Sequence, residues 1–273
     1  MATGRVDKGM TRYLAHPLIC RQPMQPDLFI LIPLFAFIAF VYSSVGLGGG
    51  SSYTTVLTIV GMSYMLIPTI SLTLNIVVTT GATFQFLRNG HLRWRVLLPL
   101  LMASVPAAWI GGRLQLPETT FQLLLLLTLI AVAVRIYLWK DPVFDLPSST
   151  AFRLAASLVI GAVLGFVAGA VGIGGGIYLV PVLIMTGVAT TREAAATGAA
   201  FILFNSVTGV LARASWTDVP WKVLIPLGVT VALAGLAGSH YGSSRWPSRT
   251  IQRVLGVVIL VAIALLIQRL LTG

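Results

Sequence analysis

The chain has 273 residues, of which 57% are hydrophobic and 9% charged, with a mean hydropathy of +0.94. Soluble domains carry roughly 25% charged residues, so a soluble globular protein is excluded, and the single cysteine, Cys20, excludes an intramolecular disulfide. The net charge of +11 does not point to nucleic acid, because Lys and Arg gather at the ends of apolar runs, as membrane topology requires.

Residues 1–27 are polar and of mixed charge (Arg5, Asp7, Lys8, Arg12, Arg21, Asp27). They lack the continuous apolar region of a cleaved signal peptide and read as a cytoplasmic N-terminal tail. Apolar runs follow at 28–47, 65–87, 95–112 and 119–139, and again at 153–173, 194–212, 220–239 and 251–271. A bilayer crossing needs about 20 such residues. The runs do not alternate apolar and polar residues as barrel strands would; Leu123–Leu127 is leucine throughout. The expectation is an all-α integral membrane protein, a polytopic bundle of about eight transmembrane helices lying in the lipid bilayer.

The first run of each half ends in a glycine cluster. Val45-Gly-Leu-Gly-Gly-Gly50 is followed 126 residues later by Val171-Gly-Ile-Gly-Gly-Gly176. Each glycine inside a helix costs about 1 kcal/mol relative to alanine, so three in a row break it. The apolar stretches that follow, 51–60 and 177–186, would be about 15 Å long as helices, half a bilayer. Other matches extend the repeat: Trp94-Arg-Val-Leu-Leu-Pro-Leu100 with Trp221-Lys-Val-Leu-Ile-Pro-Leu227, and Thr80-Gly81 with Thr208-Gly209. The organisation is therefore two repeats, 28–140 and 153–273, each with a Gly-broken half-helix. The linker, 141–152, opens with Asp141-Pro142, and its prolines and charges stop a helix.

Charge gives a topology. With each half-helix counted inside one crossing and the N-terminus inside, only Arg113, Arg192, Arg245, Arg249 and Arg253 fall outside and the other 13 of the 18 Lys and Arg fall inside. Counting each half-helix as a separate crossing leaves 8 inside and 10 outside. The positive-inside rule favours the first count, hence eight crossings, parallel repeats and both termini cytoplasmic. Five segments per half would instead make the repeats inverted.

A helix that starts at a glycine break leaves its first amides unpaired and carries about half a positive charge there. Such an end suits an anion, and bare glycine lets a ligand approach the backbone. The candidate substrate-binding residues are Gly48, Gly49, Gly50, Ser51 and Ser52 at the first break, and Gly174, Gly175, Gly176 and Ile177 at the second. Asn75, Thr197 and Asn205 join them from the next helix of each half, because an amide is costly in hydrocarbon unless partnered. The competing use of the same glycines is close helix packing. The competing use of Ser and Thr is a bond to their own helix backbone. All seven carboxylates, Asp7, Asp27, Glu118, Asp141, Asp145, Glu193 and Asp218, lie in tails or connections. No proton relay or acidic cation site is apparent, which suits an anionic substrate. No catalytic triad, nucleotide fingerprint or metal-ligand spacing is present. No catalytic residue, metal or cofactor is therefore expected.

The segments Gly169–Leu183, Gly187–Gly198 and Phe204–Gly209 resemble the TauE/SafE family, the sulfite-exporter-like (DUF81) permeases, and the resemblance spans 28–271. In the first half Thr55 stands where the second has Pro181, and Val77 aligns with Asn205. The resemblance implies a transporter of small anions such as sulfite or organosulfonates, usually in the export direction. The resulting expectation is a permease in the bacterial inner (plasma) membrane, not an enzyme, that binds a small anionic substrate between the two glycine breaks. Its other partner is the lipid bilayer, with a homodimer the candidate assembly. A passive anion channel and a membrane-embedded enzyme are the alternatives.

Overall fold

The computed structural model describes residues 28–44, 46–138, 149–214 and 221–242, together with 260, 263, 264 and 266–268. The N-terminal tail 1–27, most of the linker and most of the run at 251–271 lie outside the described residues. The helices are α1 (Leu28–Ser43), α2 (Gly50–Ile59), α3 (Ile67–Arg88), α4 (Trp94–Arg113), α5 (Glu118–Leu138), α6 (Thr150–Val171), α7 (Gly176–Met185), α8 (Thr191–Arg213) and α9 (Trp221–Gly242). Among the described residues, five of these helices are long and apolar enough to cross a membrane, and α1, α7 and the front of α5 are shorter apolar helices.

The protein is turned inside out relative to a soluble fold. Phe29, Met102, Leu127, Val159 and Leu233 point outward and are more than half exposed. Ser71, Asn75, Thr79, Ser104, Asn205 and Ser206 are fully buried. Lipid accepts the apolar side chains at no cost, whereas a polar group facing hydrocarbon loses its hydrogen bonds. It is a multi-pass membrane protein.

Helix directions follow from which ends meet. Arg93 before α4 and Glu193 in the first turn of α8 form an ion pair of 2.8 Å. At the other end, Gly112 lies against Ala212 and Gly209. The helices α4 and α8 are therefore parallel. Gly161, Gly165 and Gly169 on α6 press in order onto the backbone of Leu100, Ser104 and Ala108 on α4, so α6 runs the same way. A Cβ at any of these three glycines would collide with α4, the small-residue packing by which membrane helices bring their backbones together. By contrast, Leu72 near the start of α3 meets Gly209, while Ala82 and Phe86 near its end cluster with Ala195, Ala196 and Ala199. The helices α3 and α8 occupy equivalent places in the two repeats and are antiparallel.

Parallel repeats would make them parallel. The arrangement is therefore inverted, which corrects the direction that the charge count favoured. The reason lies in the half-helices. Helix α2 turns back along α1, with Tyr42 at Ser51 and Ser52 and with Phe35 stacked on Tyr53 at 4.9 Å. Helix α7 runs back against α8, with Gly174 at Ile202 and Gly198 at Val180. Each ten-residue piece reverses the chain, so the five-segment count applies. That count splits the cations almost evenly, and charge no longer orients the protein. The repeats also interlock: α1 packs on α9 as α6 packs on α4, with α3 and α8 between them.

Candidate functional site

Both breaks have the local geometry that their glycines allow. Gly49 and Gly175 are the N-caps of α2 and α7, with φ of 89° and 76°, and Gly46, Gly172 and Gly174 are also left-handed. Side chains rarely adopt this conformation, because their Cβ crowds the following carbonyl. No side chain caps either half-helix.

The inverted fold brings the two breaks to one place. Helices α2 and α7 run in opposite senses, and each begins beside the same residue of α3. A Cβ on Gly48 would sit 2.5 Å from Asn75 Oδ1, and one on Gly174 would sit 2.9 Å from Asn75 Nδ2. Gly50 packs on Asn75 Nδ2 and on the Ile173 carbonyl. Asn75 thus stands between the two half-helix starts. Its Nδ2 donates to Ile173 O over 3.4 Å, and its Oδ1 is buried with no hydrogen-bond partner among the described residues. Ser71, one turn earlier on the same face, reaches both breaks. Its Oγ is 3.0 Å from Gly50 O and 2.8 Å from Gly172 O.

The other candidates fall into two groups. Ser51 and Ser52 lie at the first break, where the Tyr42 hydroxyl is 3.2 and 2.7 Å from their Oγ atoms. Asn205 is fully buried, but its Nδ2 donates to Phe201 O of its own helix at 2.8 Å; its Oδ1 has no hydrogen-bond partner among the described residues. Thr197 Oγ1 likewise donates to Glu193 O at 2.7 Å, the self-bonding that threonine in a helix favours. Ile177 joins the apolar core with Leu57, Ile70 and Ile202. A Cβ on Gly49 would meet the Tyr53 ring, and one on Gly175 would meet the Phe201 ring and Leu164 O. Gly176 packs on Ile202.

Ser71, Thr54, Tyr42 and Ser206 complete the polar lining, and the reading of the sequence gave them no role. Ser206 Oγ is buried without a hydrogen-bond partner among the described residues and would lie 3.4 Å from a Cβ on Gly174. The available signal was spacing: Ser71 and Asn75 are four residues apart and so share a helix face.

A further polar feature lies at the end of the bundle where α6 and α8 finish. Arg213 is fully buried and donates to Gly209 O at 3.3 Å and Ala170 O at 3.0 Å. It borders a cleft shared with Tyr64, Pro68, Gln115 and Phe121. Its guanidinium takes up carbonyls in the last turns of two helices, the favourable place for a cation. Arg113, at the same end, lies over the Trp109 ring at 4.9 Å, which fits an interfacial anchor.

Comparison with known proteins points to a membrane transporter. The family profile described as "Sulfite exporter TauE/SafE" matches residues 31–266. A probable membrane transporter protein of Sinorhizobium fredii is 34% identical over 238 residues, covering 84% of this chain and 93% of the relative. A probable membrane transporter protein of Methanocaldococcus jannaschii is 25% identical over 233 residues, covering 79% and 86% respectively. No solved structure matches the chain. The chain belongs to the TauE/SafE family and is a membrane transporter.

Proposed function

We propose that this transporter carries a small anion, sulfite or an organosulfonate, outward across the bacterial inner membrane, and that the anion binds where the two half-helices begin. The observation that carries the reading is the convergence of both uncapped starts on Asn75. Two helix N-termini aimed at one buried point give a local positive potential with free amides, and the low dielectric strengthens it. Discontinuous helices of inverted repeats place transporter substrates in this manner. The substrate class comes from the family description. In this reading Gly48, Gly49, Gly50, Gly174, Gly175 and Gly176 supply backbone, and Asn75 Nδ2, Ser51, Ser52 and Ser206 supply side-chain donors. Asn205 stands behind them and holds its own helix.

The test is a thermal-shift and titration screen of the purified protein with sulfite, sulfate, thiosulfate, sulfoacetate and taurine. Sulfite or a sulfonate should raise the melting temperature and show saturable binding that weakens in Asn75→Ala. No stabilisation by any of these anions, or equal affinity in a folded Asn75→Ala, would overturn the proposal. Flux that saturates with substrate would separate a carrier from a passive channel.

A further inference from the structure

Tyr53 carries a hydroxyl that its packing does not account for. The side chain is fully buried, and its ring stacks on Phe35 of α1 with centroids 4.9 Å apart and planes 12° from parallel. Burial and stacking would suit a phenylalanine equally. The matching position in the second half-helix, 126 residues on, is Leu179, also fully buried, so an apolar side chain fills the same place there. Yet the Tyr53 hydroxyl lies in the core with no hydrogen-bond partner among the described residues. A buried hydroxyl left in that state is costly, and buried tyrosines as a rule find a partner. The two other tyrosines of the half-helix region do so: Tyr42 OH pairs with Ser51 and Ser52, and Tyr178 OH donates to Thr128 O.

The hydroxyl stands where a bound anion would meet it. Side chains of a helix lean towards its N-terminus. Tyr53 is four residues after Gly49, the N-cap of α2, and so reaches back over it. A Cβ on Gly49 would sit 2.8 Å from Tyr53 Cζ and 2.9 Å from its hydroxyl oxygen. The phenol therefore lies at a helix start that no side chain caps, where the first amides are donors in need of an acceptor. Hydroxyl and amides are both donors, and an oxyanion can present a separate oxygen to each.

We propose that Tyr53 is a substrate-binding residue of the first break, its hydroxyl donating to one oxygen of the bound oxyanion while the first amides of α2 take another. The assignment rests on the anion reading above. It makes the buried hydroxyl a cost in the free protein that anion binding removes, through a hydrogen bond strengthened by the ligand's charge. The second break, with Leu179 in the matching place, has no such donor.

The experiment compares the purified full-length parent with Tyr53→Phe, which keeps the ring and its stack. Melting temperature is measured first without added anion and then in titrations with sulfite, sulfate, thiosulfate, sulfoacetate and taurine. Without anion, Tyr53→Phe should melt at or above the parent, because it deletes an unmet polar group. Its affinity for the anion that stabilises the parent should fall about tenfold or more. Phe35→Leu, which loosens the stack and leaves the hydroxyl, should do the reverse: a lower melting temperature and a smaller change in affinity. A lower melting temperature of anion-free Tyr53→Phe would mean that the hydroxyl is bonded within the protein, and would overturn the assignment. Parent-like affinity in Tyr53→Phe would overturn it too, while leaving the proposed function standing. A parent that binds none of the five anions would overturn the proposed function and this assignment together.

Discussion

The two glycine breaks share left-handed residues, Gly46 with Gly172 and Gly49 with Gly175, and differ in almost everything around them. Helix α2 carries Ser51, Ser52, Thr54, Thr55 and Thr58, all buried, and Tyr42 reaches across from α1 to the first two. Helix α7 reads Ile177-Tyr-Leu-Val-Pro-Val-Leu183 and buries only Gly176, Ile177, Leu179 and Leu183. The position matching Thr54 at the glycine offset of 126 is Val180, and the position matching Ser71 at the Thr-Gly offset of 128 is Ala199. Both breaks keep glycine at their left-handed positions, where a Cβ is strained, while the buried hydroxyls of the half-helices gather at the first. The lesson is that inverted packing lets one repeat furnish polar groups for both breaks, since α3 lies between them.

The largest expected effect tests that division directly. Asn75→Leu should weaken anion binding by roughly 10- to 100-fold, the range for leaving buried polar partners unmet. Asn205→Leu should cost mainly stability, because that amide already bonds its own helix. Equal losses of affinity in the two variants, measured by titration, would erase the asymmetry.

The glycines themselves should respond unequally. Gly50→Ala forces a Cβ onto the Ile173 carbonyl at 2.6 Å, a backbone atom that cannot move aside. Gly176→Ala meets first the Ile202 side chain, which can change rotamer, and the nearest backbone atom, Gly198 O, is further off at 3.3 Å. The first should lower the melting temperature well beyond the second, and the reverse order would mean that the second break is the tighter one. Gly49→Ala and Gly175→Ala are poor probes of anion binding, because both positions have positive φ and both variants should lose stability.

A smaller effect separates the hydroxyls. Tyr42→Phe removes the bridge to Ser51 and Ser52, and Tyr178→Phe removes the 2.6 Å bond to Thr128 O. Each should cost about 1 kcal/mol of stability. Only Tyr42→Phe should also change anion affinity, because only it contacts site hydroxyls. An affinity change in Tyr178→Phe of the same size would show that side chains of the second half-helix contribute as well as its backbone.

The last prediction moves no energy and sharpens the symmetry. Single cysteines at Asn89 and Gly187, introduced with Cys20 replaced, should react with a membrane-impermeant reagent from the same side. The ion pair between Arg93 and Glu193 places these two loops together. Labelling from opposite sides would restore the parallel repeats.

Much of the architecture was legible in the sequence for a simple reason. A bilayer selects residues by transfer free energy, one position at a time, so α3, α4, α6, α8 and α9 lie within a few residues of their apolar runs. The breaks were equally legible, because Gly49 and Gly175 answer a local backbone demand. The sequence by itself therefore determined a polytopic helical bundle and the two half-helices. Tertiary structure decided the direction of the repeats, because a ten-residue helix can continue a crossing or reverse it, and long-range contacts such as Arg93 with Glu193 and Leu72 with Gly209 distinguish the two. It also decided which amide stands between the half-helix starts. Asn205 lies in the segment that most resembles the family, yet Asn75 sits between the half-helix starts, because packing α3 against α8 is a long-range choice that no local pattern encodes.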